Sequence, residues 1–293
     1  MVYSQINANK RKSILLFGLF FIVIMILGYI FGYVSQFGAV FGLVFGFLFS
    51  LISALISYYF GDKIVLSTSG AKEINKNQYP VLFDIVENLS LGTGIPMPKI
   101  YVIHDNSINA FATGRDPNHA SVAVTTGSLT KLNKEELEGV LAHEISHITN
   151  FDIRLMVLVS VMVGTIVMLS DFFLRSFMFR DSEDRGKSNV IMIVIGIVLA
   201  ILSPIFAELI KLAVSRSREY LADSSGALLT KNPKGLANAL KKIANDHNVL
   251  RTANHATAHL FISNPFKNKK SWFNSLFSTH PDVNDRIKKL EDL

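Results

Sequence analysis

The chain has 293 residues, of which 49% are apolar and 18% charged, with a mean hydropathy of +0.35. That balance points away from an ordinary soluble domain and toward the membrane class. The 18 glycines and 8 prolines are too few for a collagen-like or low-complexity chain, and the absence of cysteine excludes disulfides, thiolate zinc sites, iron–sulfur clusters and cysteine nucleophiles. Any metal must therefore be held by His, Asp or Glu. The net charge of +6 is concentrated beside apolar stretches, a pattern set by membrane orientation and anionic lipid rather than by nucleic acid.

Between Lys10-Arg11-Lys12 and Asp62 lie 49 uncharged residues, 13–61. A bilayer core takes ~20 apolar residues per helix, so this run predicts a transmembrane hairpin, about 13–34 and 37–60, turning near Ser35-Gln36-Phe37-Gly38. Gly38, Gly42 and Gly46 recur at four-residue spacing, a packing surface within this chain rather than a dimer face. Two further spans are predicted at about 155–174, interrupted by Asp171, and 188–210, interrupted by Glu208. Four crossings put both termini on one side. Lys and Arg flanking the spans are more numerous there, which predicts that the termini and the two large aqueous segments, 62–154 and 211–293, face the cytoplasm.

In the first aqueous segment, Lys99–Ile103 and Ala120–Thr125 have strand composition, with a turn-rich stretch from Gly114 to Asn118 ahead of the second. A small antiparallel sheet is expected. Next comes Asn133, a helix cap with Glu136 three residues on, as in a capping box. The helix it starts carries His143-Glu144-Ile145-Ser146-His147. Residues four apart share a helix face, so both imidazoles can meet one metal ion while Glu144, one step round, reaches a water. In a chain of this composition such a string arises by chance roughly 0.007 times. Zinc held this way lowers the pKa of a water toward ~7, and the glutamate takes its proton.

Two histidines leave a third protein ligand to find. After the fourth span, Glu219 and Asp223 lie on one helix face: either they are solvated acids balancing Arg216 and Arg218, or Glu219 is the better candidate ligand and Asp223 is placed to accept the distal N–H of a zinc histidine. Arg286 is either a partner for Asp223 or Asp152 or a solvated residue. His255 and His259 repeat the spacing of His143 and His147 with alanine in place of the base, and read as packing or surface histidines, with a second metal site as the alternative.

His143 to His147 with Asn150 and Asp152, Glu219 to Asp223, Asn109-Ala110-Phe111-Ala112 and Ser278-Thr279-His280-Pro281 together resemble the HtpX family of membrane zinc metalloproteases, relatives of the CAAX prenyl proteases. The resemblance covers essentially the whole chain. It implies one zinc ion on His143, His147 and Glu219, Glu144 as general base, Asp223 behind a ligand, and His280 near the oxyanion. It also implies that Asn109, Ala110, Phe111 and Ala112 form a strand that pairs with extended substrate.

The expected protein is thus an integral membrane α+β chain of four transmembrane helices carrying a cytoplasmic zincin-like domain. Its expected work is zinc-dependent cleavage of polypeptides in the lipid bilayer's cytoplasmic margin, with misfolded or damaged membrane proteins as substrates by resemblance. CAAX-type processing shares the ligands but would need a prenyl-binding chamber. A scaffold with structural zinc would close all four positions, commonly with Cys.

Overall fold

The computed structural model describes residues 2–34, 38–178, 216–252, 256–263, 265 and 281–293. The fourth predicted span, 188–210, and His255 and His280 lie outside them.

Helices α1 (Val2–Val34) and α2 (Ala39–Thr68) form the predicted hairpin. They touch through glycine: a Cβ on Gly42 would collide with the Gly28 carbonyl, and Gly32 and Gly46 lie against the facing backbone in the same way. The stripe therefore packs within the chain, as expected, with Gly28 and Gly32 as its unpredicted partners. Gly38 sits at φ +96 and makes the turn instead. The outer face of α2 exposes Val40, Phe41, Val44, Phe45, Leu48 and Ile52, a continuous apolar surface that water would not favour. Among the described residues α2 is the one helix that is by itself long and apolar enough to cross a membrane.

α2 does not stop where its apolar run stops. It continues past Asp62 to Thr68, so the expected segment boundary at 61/62 falls inside a helix. Its last turns carry Val65 and Leu66 into a core shared with Phe111 and Phe261. Burial prolongs the helix after lipid-facing composition has ended.

Beyond the hairpin the chain is built on four strands, β1 (Ala71–Glu73), β2 (Lys99–Ile103), β3 (Ala110–Gly114) and β4 (Ala120–Thr125), in the order β1-β2-β4-β3. β2 and β4 match the predicted ranges, but the sheet is mixed rather than antiparallel, because β2 pairs with β4 in parallel. The cause is topological. The turn at Arg115–His119 folds β4 back against β3, and β4 inserts between β2 and β3, so it must run with β2.

Around the sheet lie α3 (Pro80–Thr93), α4 (Thr126–Lys131), α5 (Lys134–Thr149), α7 (Arg216–Thr230), α8 (Pro233–Asn245) and α9 (Val283–Glu291), while α6 (Asp152–Met178) covers the third predicted span. α5 is the axis of the domain. Its apolar residues Leu137, Val140, Leu141, Ile145 and Ile148 are buried in one core with β2, β4, α3 and α8. Asn133 and Glu136 cap it reciprocally, each side-chain oxygen 2.8 Å from the other's backbone nitrogen. At its far end Phe151 takes φ 59, uncommon for a bulky side chain, and α6 leaves at 84° to α5.

Candidate metal centre

His143 and His147 occupy successive turns of α5, their Nε2 atoms 3.2 Å apart and their rings perpendicular. Glu219 comes from α7, 3.8 Å from His143 Nε2 and 3.6 Å from His147 Nε2. α7 can approach this closely because residue 226, two turns after Glu219, is glycine: a Cβ there would stand 3.0 Å from the His143 backbone nitrogen. All three side chains are buried, with one ligand atom from each lying within 4.8 Å of the others.

The outward-facing ring nitrogens are both held by carboxylates. His143 Nδ1 lies 2.9 Å from Asp223 Oδ1, and His147 Nδ1 lies 3.0 Å from Asp152 Oδ2. Donating Nδ1–H to a carboxylate leaves the Nε2 lone pair free to face the common point, the arrangement typical of metal-ligating histidine. Two nitrogens bound tetrahedrally at ~2.0–2.1 Å stand about 3.3 Å apart, close to the spacing observed. Two imidazoles, one carboxylate and no sulfur fit a catalytic zinc ion, which uses three protein ligands and an open fourth position.

Each carboxylate is backed by an arginine. Arg286 of α9 is 2% exposed and binds Asp223 with two short hydrogen bonds, Nε to Oδ2 at 2.9 Å and Nη2 to Oδ1 at 2.7 Å. Of the predicted alternatives for Arg286, the structure selects Asp223. Arg218 of α7, also buried, places Nη1 3.9 Å from Asp152 Oδ1. The pairing of Asp152 with His147 was missed in the sequence. Its one local signal is an acid shortly after the second histidine, across a helix break, and that becomes contact only because Phe151 redirects the chain.

Glu144 is buried beside the pair, and its Oε1 has no hydrogen-bond partner among the described residues. Burial pushes its carboxyl up to about 7, with Glu219 adding to the rise, while His147, the Ala112 backbone N–H and Arg286 pull the other way. Burial also opposes protonation of His147, but its hydrogen bond to Asp152 and the nearby charges of Glu219, Asp152 and Glu144 lift it to about 9 in the metal-free protein. His143 goes the opposite way, lowered by burial and by Arg286 and His147 against the pull of Asp223.

The strand expected to meet substrate is β3, which ends the sheet. Its Ala112 backbone N–H is one of the groups that lower the Glu144 carboxyl. Asn109 turns inward: its Oδ1 accepts from Ala110 N, its Nδ2 donates to the Ser263 carbonyl, and its own N–H reaches Thr125 and Ser128. Phe111 packs edge-on against Phe261. The Ala110 carbonyl accepts from Ile262 N at 3.0 Å, and the Ile262 carbonyl accepts from Arg286 Nη1 at 3.3 Å. The chain's own Phe261–Ser263 thus lies along the start of the β3 edge. His259 is fully buried against α6, its Nε2 3.2 Å from the Met156 carbonyl, which fits the packing role expected of it.

Residues 77–293, the stretch that contains this whole centre, match Peptidase family M48. The chain belongs to that family. Curated relatives named Protease HtpX homolog agree along most of its length. The one from Thermoanaerobacter pseudethanolicus is 47% identical over 244 residues, 81% of this chain and 80% of the relative. That of Dictyoglomus thermophilum is 46% identical over 98% of this chain and 93% of its own, and that of Tropheryma whipplei 41% over 100% and 99%. Among solved structures, Ste24p of S. mikatae is similar with a TM-score of 0.50 at 18% identity, covering 92% of this chain and 62% of that one, a likeness of fold. The M48 chain is a metallopeptidase.

Proposed function

We propose that this M48 chain is a four-span membrane zinc endopeptidase that hydrolyses polypeptides, misfolded or damaged membrane proteins among them, at the cytoplasmic face. One observation carries the reading: His143, His147 and Glu219 converge next to a buried Glu144 whose Oε1 has no hydrogen-bond partner among the described residues. Zinc on those three residues supplies Lewis acidity, making water a nucleophile near neutral pH.

The chain's own residues do the rest. Glu144 takes the proton from the attacking water and delivers it to the leaving nitrogen, and its raised carboxyl suits both roles near neutral pH. Asp223 and Asp152 hold the two imidazoles in the tautomer that presents Nε2. Substrate pairs as an added strand along β3 near Ala112, which reads backbone more than side chain and suits varied substrates. Pairing at Ala110 requires Phe261–Ser263 to yield its place. His280 is proposed near the oxyanion on the family resemblance.

Kinship with relatives named as HtpX proteases supports this reading over prenyl-protein processing. Glu144→Gln purified with zinc should lose cleavage of a denatured protein by about 10²–10⁴-fold while its metal stays. Undiminished cleavage would refute the assignment. For orientation, a cysteine at exposed Lys134 should be shielded from an impermeant thiol reagent in intact cells while one at Ser182 reacts, and the reverse pattern would turn the chain over.

A further inference from the structure

Tyr58 and Tyr59 lie on α2 where its exposed apolar face gives way to Asp62 and Lys63. α6 passes from charge to apolar residues at the same level, with Arg154 just before Leu155, and Arg154 Nη2 donates to Tyr58 Oη at 2.9 Å. From the end of β3 comes Arg115, its guanidinium 5.5 Å from the Tyr59 ring and 6.0 Å from Tyr58, while that of Arg154 is 5.3 Å from Tyr58. The three elements meet around a shallow open depression, with Val157 and Leu158 buried at its floor and the exposed apolar face of α2 beside it, Leu55 one turn before Tyr59.

The charges here are poorly matched within the chain. Among the described residues no carboxylate comes within ion-pair reach of Arg154, and Arg115 has Asp116 alone, at 3.6 Å. Asp62 lines the same depression but, among the described residues, makes no ion pair with either arginine. Two arginines stacked on tyrosines, beside apolar side chains, at the level where two helices leave polar surroundings, match an anionic phospholipid. The phosphate meets the guanidinium groups, the glycerol and first methylenes meet the exposed face of α2 at Leu55 and Tyr59, and tyrosine belongs at that depth.

We propose that this depression binds the phosphate of an anionic phospholipid. The lipid ties the Gly114 end of β3, the strand whose Ala112 faces Glu144, to the membrane surface. Free phosphate would gain nothing from the exposed apolar face of α2 that adjoins the two arginines, which is why a lipid is the occupant.

The inference rests on the membrane reading above, so the test begins by washing wild-type membranes with alkali. Release of the chain would sink both ideas together. If it stays, the full-length protein is moved into nanodiscs of equal phosphatidylglycerol and phosphatidylcholine, and retained lipid is read by native mass spectrometry. Each arginine near a membrane surface contributes about 1 kcal/mol, or fivefold. Arg115→Gln and Arg154→Gln should each weaken phosphatidylglycerol retention about fivefold and the pair about 25-fold, whereas exposed Lys99→Gln should not. Zinc content and soluble-peptide cleavage in lipid-free detergent should stay at wild-type levels in all of them, which separates lost lipid from lost fold. Unchanged retention in the double variant overturns the proposal. Displacement of the lipid by excess inorganic phosphate would make it a free-anion site, and an altered KM for acidic peptides with lipid retention intact would make it a substrate site.

Discussion

The two histidines of α5 have equivalent surroundings in kind and different ones in degree. Each gives Nδ1 to an aspartate, and each aspartate faces a buried arginine. On the His143 side the arginine grips with two bonds of 2.9 and 2.7 Å, whereas on the His147 side Arg218 stands 3.9 Å from Asp152. Burial opposes the charged form of both imidazoles, yet the hydrogen bond to Asp152 and the charges of Glu219 and Glu144 lift His147 to about 9, while at His143 burial prevails over Asp223 and Arg286 adds to the lowering. A carboxylate whose charge is spent on a guanidinium orients an imidazole with less pull on its proton. The same aspartate–histidine contact can thus hold one ligand mainly by geometry and the other also by charge.

Breaking the tighter side should cost most. Arg286→Met leaves buried Asp223 with His143 but without the guanidinium that balances its charge, and losing half of such a pair costs about 3–5 kcal/mol. Thermal unfolding in detergent should show a larger loss for it than for Arg218→Met; equal losses would erase the distinction between the sides. Next come the aspartates themselves. Asp223→Asn and Asp152→Asn should each weaken zinc affinity about 10–100-fold, measured by competition with a chelator, and the effect at Asp152 would establish a role the linear pattern did not announce.

Away from the centre, Asp246 offers a comparison with no metal involved. Its carboxylate accepts from Ile108 N at 2.6 Å, from Asn248 and from Lys131. Although burial opposes the charge, these donors hold it down at about 2, below the unfolded value of ~3.9. The stability this confers is fully present above about pH 4 and is lost as pH falls toward about 2. Asp246→Asn should therefore be less stable than wild type by about 2 kcal/mol near neutrality, with the gap closing across that acid window. A gap independent of pH would assign the loss to packing. The smallest effect is expected at His259→Ala, whose zinc content should equal that of wild type; lost zinc would make it part of a metal site after all.

What could be read from the sequence was what is encoded locally. The capping box at Asn133 and Glu136, the histidine pair and the Glu219–Asp223 face all depend on helix periodicity, and each appears in the structure at its expected residues. The parallel pairing of β2 with β4 was not legible, because strand composition does not say which edge β3 takes. The extension of α2 to Thr68 was hidden by Asp62 and Lys63, since charge marks where lipid ends and not where a helix does. Arg286, 63 residues from Asp223, could be read only as a partner for Asp223 or Asp152 or as a solvated residue, the choice being made by tertiary packing of α9.

The central claim is that three side chains hold a single zinc ion while a fourth handles protons. It is tested most directly by counting zinc in Glu144→Gln and Glu219→Gln purified side by side. About one zinc per chain should remain in Glu144→Gln and less than about a tenth of that in Glu219→Gln, which loses one of three protein ligands. Equal zinc in the two proteins would contradict the ligand set.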